Sequence, residues 1–119
     1  MADFVHLHNH SEYSLLDGLS KIQEMVRRAK DLGMKAIALT DHGNMYGAIK
    51  FYQTCIDEGI KPIIGCEIYI ARRTLRDKEA GVDTDSNHLI LLAKNNTGYK
   101  NLMKIITIAN LEGYYYRPR

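Results

Sequence analysis

Residues 6–18 read HLHNHSEYSLLDG, so three of the five histidines of the chain fall within five positions. In an extended strand, side chains two and four positions apart share one face, which predicts that His6, His8 and His10 project in the same direction. Imidazole nitrogen is a preferred ligand of zinc, iron and similar ions. The alternative is a strand end whose histidine rings only form hydrogen bonds, but the acidic residues and histidines further along the chain favour a metal site.

The sequence around this stretch alternates between strand-like and helix-like patterns. Four apolar segments are predicted to be strands: 4–8, 35–40, 62–70 and 88–93. Three segments with apolar residues at helical spacing are predicted to be helices: 21–32, 45–58 and 97–109. The resulting order, β-α-β-α-β-loop-β-α, is typical of an α/β protein built from βα units around a parallel sheet or barrel.

The ends of the predicted helices carry recognisable signals. Ser20 followed by Gln23 resembles a capping box at the start of the first helix, and Gly33 is a natural stop for it. Gly59 closes the second helix in the same way, and either Asn96 or Thr97 is expected to cap the last. Residues 72–87 are charged and polar and are predicted to form a long, mobile loop.

The composition is that of one folded domain. The chain has 119 residues, 45% of them hydrophobic, a net charge of +2 and two cysteines, Cys55 and Cys66, without metal-site or disulfide spacing. We expect a cytoplasmic protein with no membrane partner, because the sequence has neither an 18-residue apolar run nor a signal peptide. The charge is too small to indicate DNA binding by itself, and the basic and aromatic groups at 72–78 and 114–119 are interpreted as a solvated loop and tail.

Four imidazoles and two carboxylates stand at or near predicted strand ends: His8, His10, Asp17, His42, Glu67 and His88. Six ligands are too many for one ion, so we predict two or three divalent ions bridged by a carboxylate such as Glu67. Such clusters generate a hydroxide near neutral pH and favour phosphoester hydrolysis, although amidohydrolase-type barrels also carry H-x-H on a first strand. His42 follows its predicted strand, whereas His88 opens one. If both reach one site, the strands that carry Glu67 and His88 are predicted to run antiparallel.

Several motifs resemble those of the polymerase and histidinol phosphatase (PHP) family. HLHNHS at 6–11 resembles the first family motif, D-L-H-x-H-T, and TDH at 40–42 resembles the second. The longer stretches FVHLHNHSEYSLLDG, ALTDHGNMYGAIKFY, GIKPIIGCE and HLILLAKNNTGYKNL are similar to the N-terminal PHP domains of bacterial replicative DNA polymerases. The resemblance covers nearly the whole chain.

This resemblance implies a fold and a ligand set. The fold would be a distorted (β/α)7 barrel, of which residues 1–119 would be the N-terminal, incomplete part, since later family ligands have no counterpart after His88. His8 and His10 would hold one ion with Glu67, Glu67 would bridge to a second ion at His88, and Asp17 and His42 would hold a third. His6, at a position where the family has Asp, and Asp41 are expected to support the ligands rather than bind.

The implied function belongs to a larger protein. DNA and other replicase subunits would be the partners, polymerisation would be performed by residues outside this stretch, and the PHP site would be a phosphoesterase, plausibly a 3′-to-5′ exonuclease, with zinc, manganese or iron. We expect the isolated 119-residue chain to be inactive. Two alternatives stay open, namely a non-catalytic module that binds replicase partners and a stand-alone phosphatase acting on histidinol phosphate.

Overall fold

A three-stranded mixed sheet forms the centre of the computed structural model, which describes residues 4–119. The elements in chain order are α1 (Ile22–Asp31), β1 (Ala36–Leu39), α2 (Ala48–Glu58), β2 (Lys61–Ala71), β3 (Ser86–Leu92) and α3 (Asn96–Leu111). The long strand β2 lies between the other two: it pairs in parallel with β1 and antiparallel with β3. The antiparallel pairing confirms the prediction made from the position of His88.

The core lies between β1 and the first two helices. β1 is buried at all four positions, as expected of a strand covered on both faces. Val26 of α1 and Phe51 and Cys55 of α2 are fully buried against it. Their burial follows from the helical spacing of the apolar residues, so the predicted helices at 21–32 and 45–58 and the predicted strand at 35–40 are confirmed. No helix in the described part of the chain combines the length and apolarity needed to cross a bilayer.

The segment preceding α1 differs from its prediction. Residues 4–8 form no regular strand; two backbone hydrogen bonds attach the segment to the free edge of β1, from Ala38 N–H to His6 O and from Thr40 N–H to Asn9 O, each 2.9 Å long. Asn9 Nδ2 also donates to His6 O and to Ala38 O. The Asn9 side chain thus supplies a hydrogen bond to β1 that the backbone of a neighbouring strand would otherwise make. For this reason the alternation of apolar residues at 4–8 predicted a more regular strand than the one observed.

Two predicted helix N-caps are wrong by one or two residues. α1 has Lys21 at its N-cap without a side-chain hydrogen bond, so Ser20 does not form the capping box. At α3 the cap is Asn95, whose side chain accepts from Gly98 N–H at 2.9 Å. The helix stops are confirmed, because Gly33 and Gly59 both adopt positive φ, 75° and 72°, which glycine tolerates best.

The loop between β2 and β3 is largely exposed but is anchored by two buried charged residues, Asp83 within it and Arg119 near the C-terminal end. Arg73 donates to both carboxylate oxygens of Asp83, which is itself inaccessible to solvent. Arg119 is buried as well, and its guanidinium donates to Gly113 O, Asp83 O and Asp77 O at 2.8–3.1 Å. These bonds tie the loop to the C-terminal segment, so the interpretation of both as solvent-facing is wrong for Asp83 and Arg119.

The Arg73–Asp83 pair predicts a dependence of stability on pH. The hydrogen bond from Arg73 lowers the pKa of Asp83 from 3.8 to about 2. A carboxyl group whose pKa is lower in the folded state stabilises the fold above about pH 4, and this contribution is lost as the pH falls toward 2. We expect Asp83→Asn to lower the urea midpoint at pH 7, with the difference from wild type shrinking between pH 4 and pH 2. The matched exposed variant Asp85→Asn should show neither effect; a pH-independent difference for Asp83→Asn would contradict the assignment.

Candidate metal centre

Glu67, in the middle of β2, is the point on which the predicted ligands converge. Its side chain is almost completely buried, and its Oε2 lies 2.6 Å from His8 Nε2 and 2.8 Å from His10 Nε2. His88 Nδ1 is hydrogen-bonded to the other oxygen, Oε1, and His42 Nδ1 lies 3.7 Å from Oε2. Four imidazoles from three separate parts of the chain therefore surround one carboxylate.

The sheet register produces this convergence. The parallel pairing of β1 with β2 continues past Leu39 to a bridge between His42 and Glu67, with Gly43 N–H donating to Glu67 O at 2.9 Å. On the other side, the antiparallel register places His88 opposite Tyr69, two residues from Glu67 and hence on the same face of the sheet. The two neighbours of β2 thus each deliver one histidine to the glutamate.

Within residues 4–119, two groups of three side chains have donor atoms close enough to hold an ion. The first is His8, His10 and Glu67, and the second is His42, Glu67 and His88; within each group the donor atoms lie within 4.8 Å of one another. Glu67 belongs to both groups. A carboxylate shared by two ligand groups can bridge two ions, so the arrangement has the form of a dinuclear site.

Hydrogen bonding fixes the tautomer of His10 in the form suited to metal binding. Ser14 Oγ donates to Asp41 Oδ1 at 2.8 Å, so its only hydrogen is used, and it must accept from His10 Nδ1–H at 3.0 Å. In neutral His10 this leaves a lone pair on Nε2, pointing at the Glu67 carboxylate 2.8 Å away. Either a proton on Nε2, which makes His10 an imidazolium, or a metal ion bound by both atoms relieves the repulsion between two such lone pairs.

His42 and the pKa shifts fit a metal in the same way. His42 Nδ1 is buried and has no hydrogen-bond partner within the described residues, and an unpaired buried nitrogen is costly unless something binds it. Burial, together with the neighbouring His42, lowers the pKa of His10 and favours the neutral imidazole that metals require. Burial opposes ionisation of Glu67, but hydrogen bonds from His8 and His88 outweigh it and lower the pKa of the glutamate. The directions of these two shifts favour the neutral imidazole of His10 and the ionised carboxylate of Glu67, the forms that bind metal.

The remaining sequence candidates lie at the edge of this cluster or outside it. Asp17 belongs to neither group of three; its Oδ2 lies 2.9 Å from His42 Nε2, the position of a carboxylate that orients a metal-binding imidazole. A third ion held by Asp17 and His42 stays a prediction. His6 does not join His8 and His10, because its ring packs edge-on against Phe4 at 4.7 Å. The expectation that all three histidines project together is therefore wrong for His6.

Asp41 supports the site from beneath. It is 1% exposed and accepts hydrogen bonds from Ser11 N–H, Ser11 Oγ and Ser14 Oγ at 2.6–2.8 Å. Ser14 Oγ also accepts from His42 N–H at 3.1 Å. Asp41 thus reaches two ligands, His10 and His42, through one serine, as expected of a supporting rather than a binding residue.

Two neighbours of the centre escaped the sequence reasoning. Tyr69 stacks on His42 with ring centroids 6.0 Å apart and meets the edge of His88 at 4.9 Å. Its position two residues after Glu67 on a strand was a usable signal, because such residues share a face. The second neighbour is Arg117, whose guanidinium carbon Cζ lies over the Tyr69 ring, 5.2 Å from its centroid. No periodicity in the sequence connects residue 117 with β2.

Sequence relatives agree with the family suggested by the motifs. The PHP domain family model matches residues 6–119. The DNA polymerase III alpha subunits of Treponema pallidum and Borreliella burgdorferi are 57% and 56% identical over 117 residues, and that of Aquifex aeolicus is 50% identical over 123. These matches cover 98% of this chain and 10–11% of each relative, so the chain spans about a tenth of the length of those proteins.

Solved structures agree on the fold. An amidohydrolase from Chromobacterium violaceum with bound sulfate superposes with a TM-score of 0.60 at 23% identity, covering 87% of this chain and 33% of that protein. A protein from Bifidobacterium adolescentis, described as a candidate metal-dependent phosphoesterase, gives 0.59 at 18% identity, covering 89% and 34%. With the family model matching 6–119 and half or more of the residues shared with the N-terminal region of polymerase alpha subunits, this chain belongs to the PHP domain family.

Proposed function

We propose that residues 1–119 are the N-terminal part of the PHP domain of a bacterial DNA polymerase III alpha subunit and contribute a metal-dependent phosphoesterase site. The observation that carries this proposal is the shared carboxylate of Glu67, with two histidines on each side of it. The proposed cofactors are two or three divalent ions such as zinc, manganese or iron, because mixed imidazole and carboxylate ligands suit these metals. The proposed location is the cytoplasm, where the replicase works.

The reaction proposed for this site is removal of a nucleotide from a DNA 3′ end. When bound, the ions would supply a hydroxide near neutral pH and neutralise charge on the phosphate. The chain's own residues fix the geometry: Glu67 holds the two histidine groups together, and Ser14 keeps Nε2 of His10 free to bind. Asp17 orients the His42 ring. The site faces an open depression lined by His8, His10, His42 and Glu67, which leaves room for an extended substrate.

A double variant tests the exonuclease. In the full-length gene product, loaded with manganese or zinc, we expect 3′-mismatched DNA to be degraded and a chelator to stop the reaction. His10→Ala with Glu67→Ala should remove at least about 99% of this activity, because each group of three loses a ligand. The matched control is Glu58→Ala, a glutamate paired with Arg27 and Lys30 on the helical side of the domain.

The polymerase activity of the same preparations separates catalysis from a structural role. If the double variant keeps full exonuclease activity, the proposed site is wrong. If wild type binds ions and lacks nuclease activity while the variant extends primers normally, the PHP module has a structural or partner-binding role instead.

A further inference from the structure

The C-terminal segment brings a guanidinium to the side of the metal centre. The Tyr69 ring is the common neighbour: it stacks on His42, meets the edge of His88, and carries Arg117 with Cζ 5.2 Å from its centroid. His42 and His88 are both members of the second candidate ligand group. Arg117 is therefore one aromatic ring away from two residues of the centre.

Arg117 differs from the other arginines of this part of the chain because its charge is not used internally. Arg73 is paired with Asp83, Arg76 with Glu112 at 3.0 Å, and Arg119 donates to three backbone carbonyls. No carboxylate among residues 4–119 lies within ion-pair distance of Arg117, whose side chain is exposed. A cation held on an aromatic face and open to solvent is available to an anion.

The backbone around Arg117 is shaped to hold it there. Tyr116 has φ of 59°, a left-handed conformation that residues other than glycine seldom adopt, and Tyr115 N–H donates to Arg117 O across the turn. Buried Arg119 anchors one side, while Pro118 packs so close to Gly43, the neighbour of His42, that a β-carbon there would lie 3.0 Å from its Cγ. Unusual backbone of this kind persists where its surroundings enforce it and is concentrated at functional sites.

We infer that Arg117 binds a phosphate oxygen of the substrate and that Tyr69 is the platform that positions it. This inference rests on the proposed phosphoesterase function. A guanidinium matches phosphate geometry through two parallel N–H donors and stacks on aromatic rings, which a lysine ammonium does less well.

The test compares Arg117→Ala with wild type in the full-length gene product. Metal content is measured first, and binding of inorganic phosphate and of a short oligothymidylate is then measured by calorimetry. Arg117→Ala should retain the wild-type metal content and bind phosphate about tenfold to hundredfold more weakly, as expected when a charged hydrogen bond is lost. With the oligonucleotide, the slope of log affinity against log salt should fall by about 0.7 to 1.

Three further variants make the comparison specific. Arg117→Lys should recover part of the affinity, because it keeps the charge and loses the two-donor fork. Tyr69→Phe should behave like wild type, whereas Tyr69→Leu, which removes the ring, should weaken phosphate binding as Arg117→Ala does. Arg76→Ala is the matched control, an exposed arginine from the same region whose partner is Glu112, and it should leave both affinities unchanged.

The outcomes separate the inference from the function on which it rests. A defect with the oligonucleotide alone assigns Arg117 to a neighbouring phosphate of the strand, and a defect with both ligands assigns it to the phosphate at the ions; either supports the inference. Metal-loaded Arg117→Ala with wild-type affinity and salt slope for both ligands would overturn it while leaving the metal site intact. Failure of the wild-type protein to bind metal would instead refute the proposed function, and this inference with it.

Discussion

Replacing Glu67 with glutamine is expected to empty both halves of the metal centre at once. Both groups of three use this carboxylate, with His8 and His10 at one oxygen and His88 at the other. Outer-layer partners of metal ligands typically contribute 10- to 100-fold in affinity, so loss of a shared ligand should cost at least about 100-fold for each ion. Elemental analysis after dialysis at fixed free metal measures the effect.

Single-histidine variants refine this prediction. His88→Ala removes a ligand from only one group, so it should release fewer ions than Glu67→Gln. Glu58→Gln, a conservative change at a glutamate outside the site, should retain the wild-type content, and circular dichroism should show that each variant is folded. Equal loss of ions from His88→Ala and Glu67→Gln would argue against a shared carboxylate, and undiminished content in Glu67→Gln would rule out the ligand set.

Asp41→Ala is expected to cause a large loss of stability in the region around β1. The carboxylate is 1% exposed and accepts three hydrogen bonds, two from Ser11 and one from Ser14. Its removal leaves those buried donors unpaired, at about 1–3 kcal/mol for each polar group, and a total near 3–5 kcal/mol is typical of a broken buried polar network. Amide hydrogen exchange of residues 36–42 should accelerate about 100- to 4000-fold, because each 1.4 kcal/mol is about a factor of ten.

The matched control for this variant is Asp57→Ala, an exposed aspartate on α2. Its effect should stay within about 0.5 kcal/mol, as is usual for surface positions. Asp41→Asn is informative too, because it keeps the shape but offers one acceptor oxygen fewer, and an intermediate acceleration is expected. Slow exchange retained in Asp41→Ala would show that the serines find other partners and that the network does not stabilise β1.

The part of the site that follows from strand periodicity was predictable from the sequence. His42 after β1, Glu67 within β2 and His88 at the start of β3 all come from apolar runs that identify strands, and adjacent strands bring such residues together. The antiparallel direction of β2 and β3 could be inferred from the sequence as well, because His88 lies near the start of its strand whereas His42 follows its own. Family motifs contributed the pairing of these residues with His8 and His10, because the geometry of the irregular segment 4–21 is not encoded in any simple pattern.

What escaped prediction depends on side-chain bonding between distant segments. The first segment follows β1 through Asn9 instead of through a regular ladder, and Ser20 lost the cap position because α1 begins after Lys21. Arg119 and Asp83 are buried although both are charged, because each has hydrogen-bond partners. Arg119 donates to the backbone oxygen of Asp83, 36 residues away, and the Asp83 carboxylate accepts from Arg73 in the same charged loop. Local propensity contains no information about such partners.

The Asp41 network lies beneath the histidines and makes no bond to Glu67 through its own side chain. In this small region, the residues that hold the backbone in place, Asp41 with Ser11 and Ser14, are therefore different from the candidate metal ligands. A descendant of this sequence that lost its imidazoles through mutational drift would keep the serine and aspartate bonds that hold the segment in place. Such a lineage would retain the architecture long after its candidate metal ligands had disappeared, and its motifs would fade at positions 8, 10, 42 and 88 before position 41.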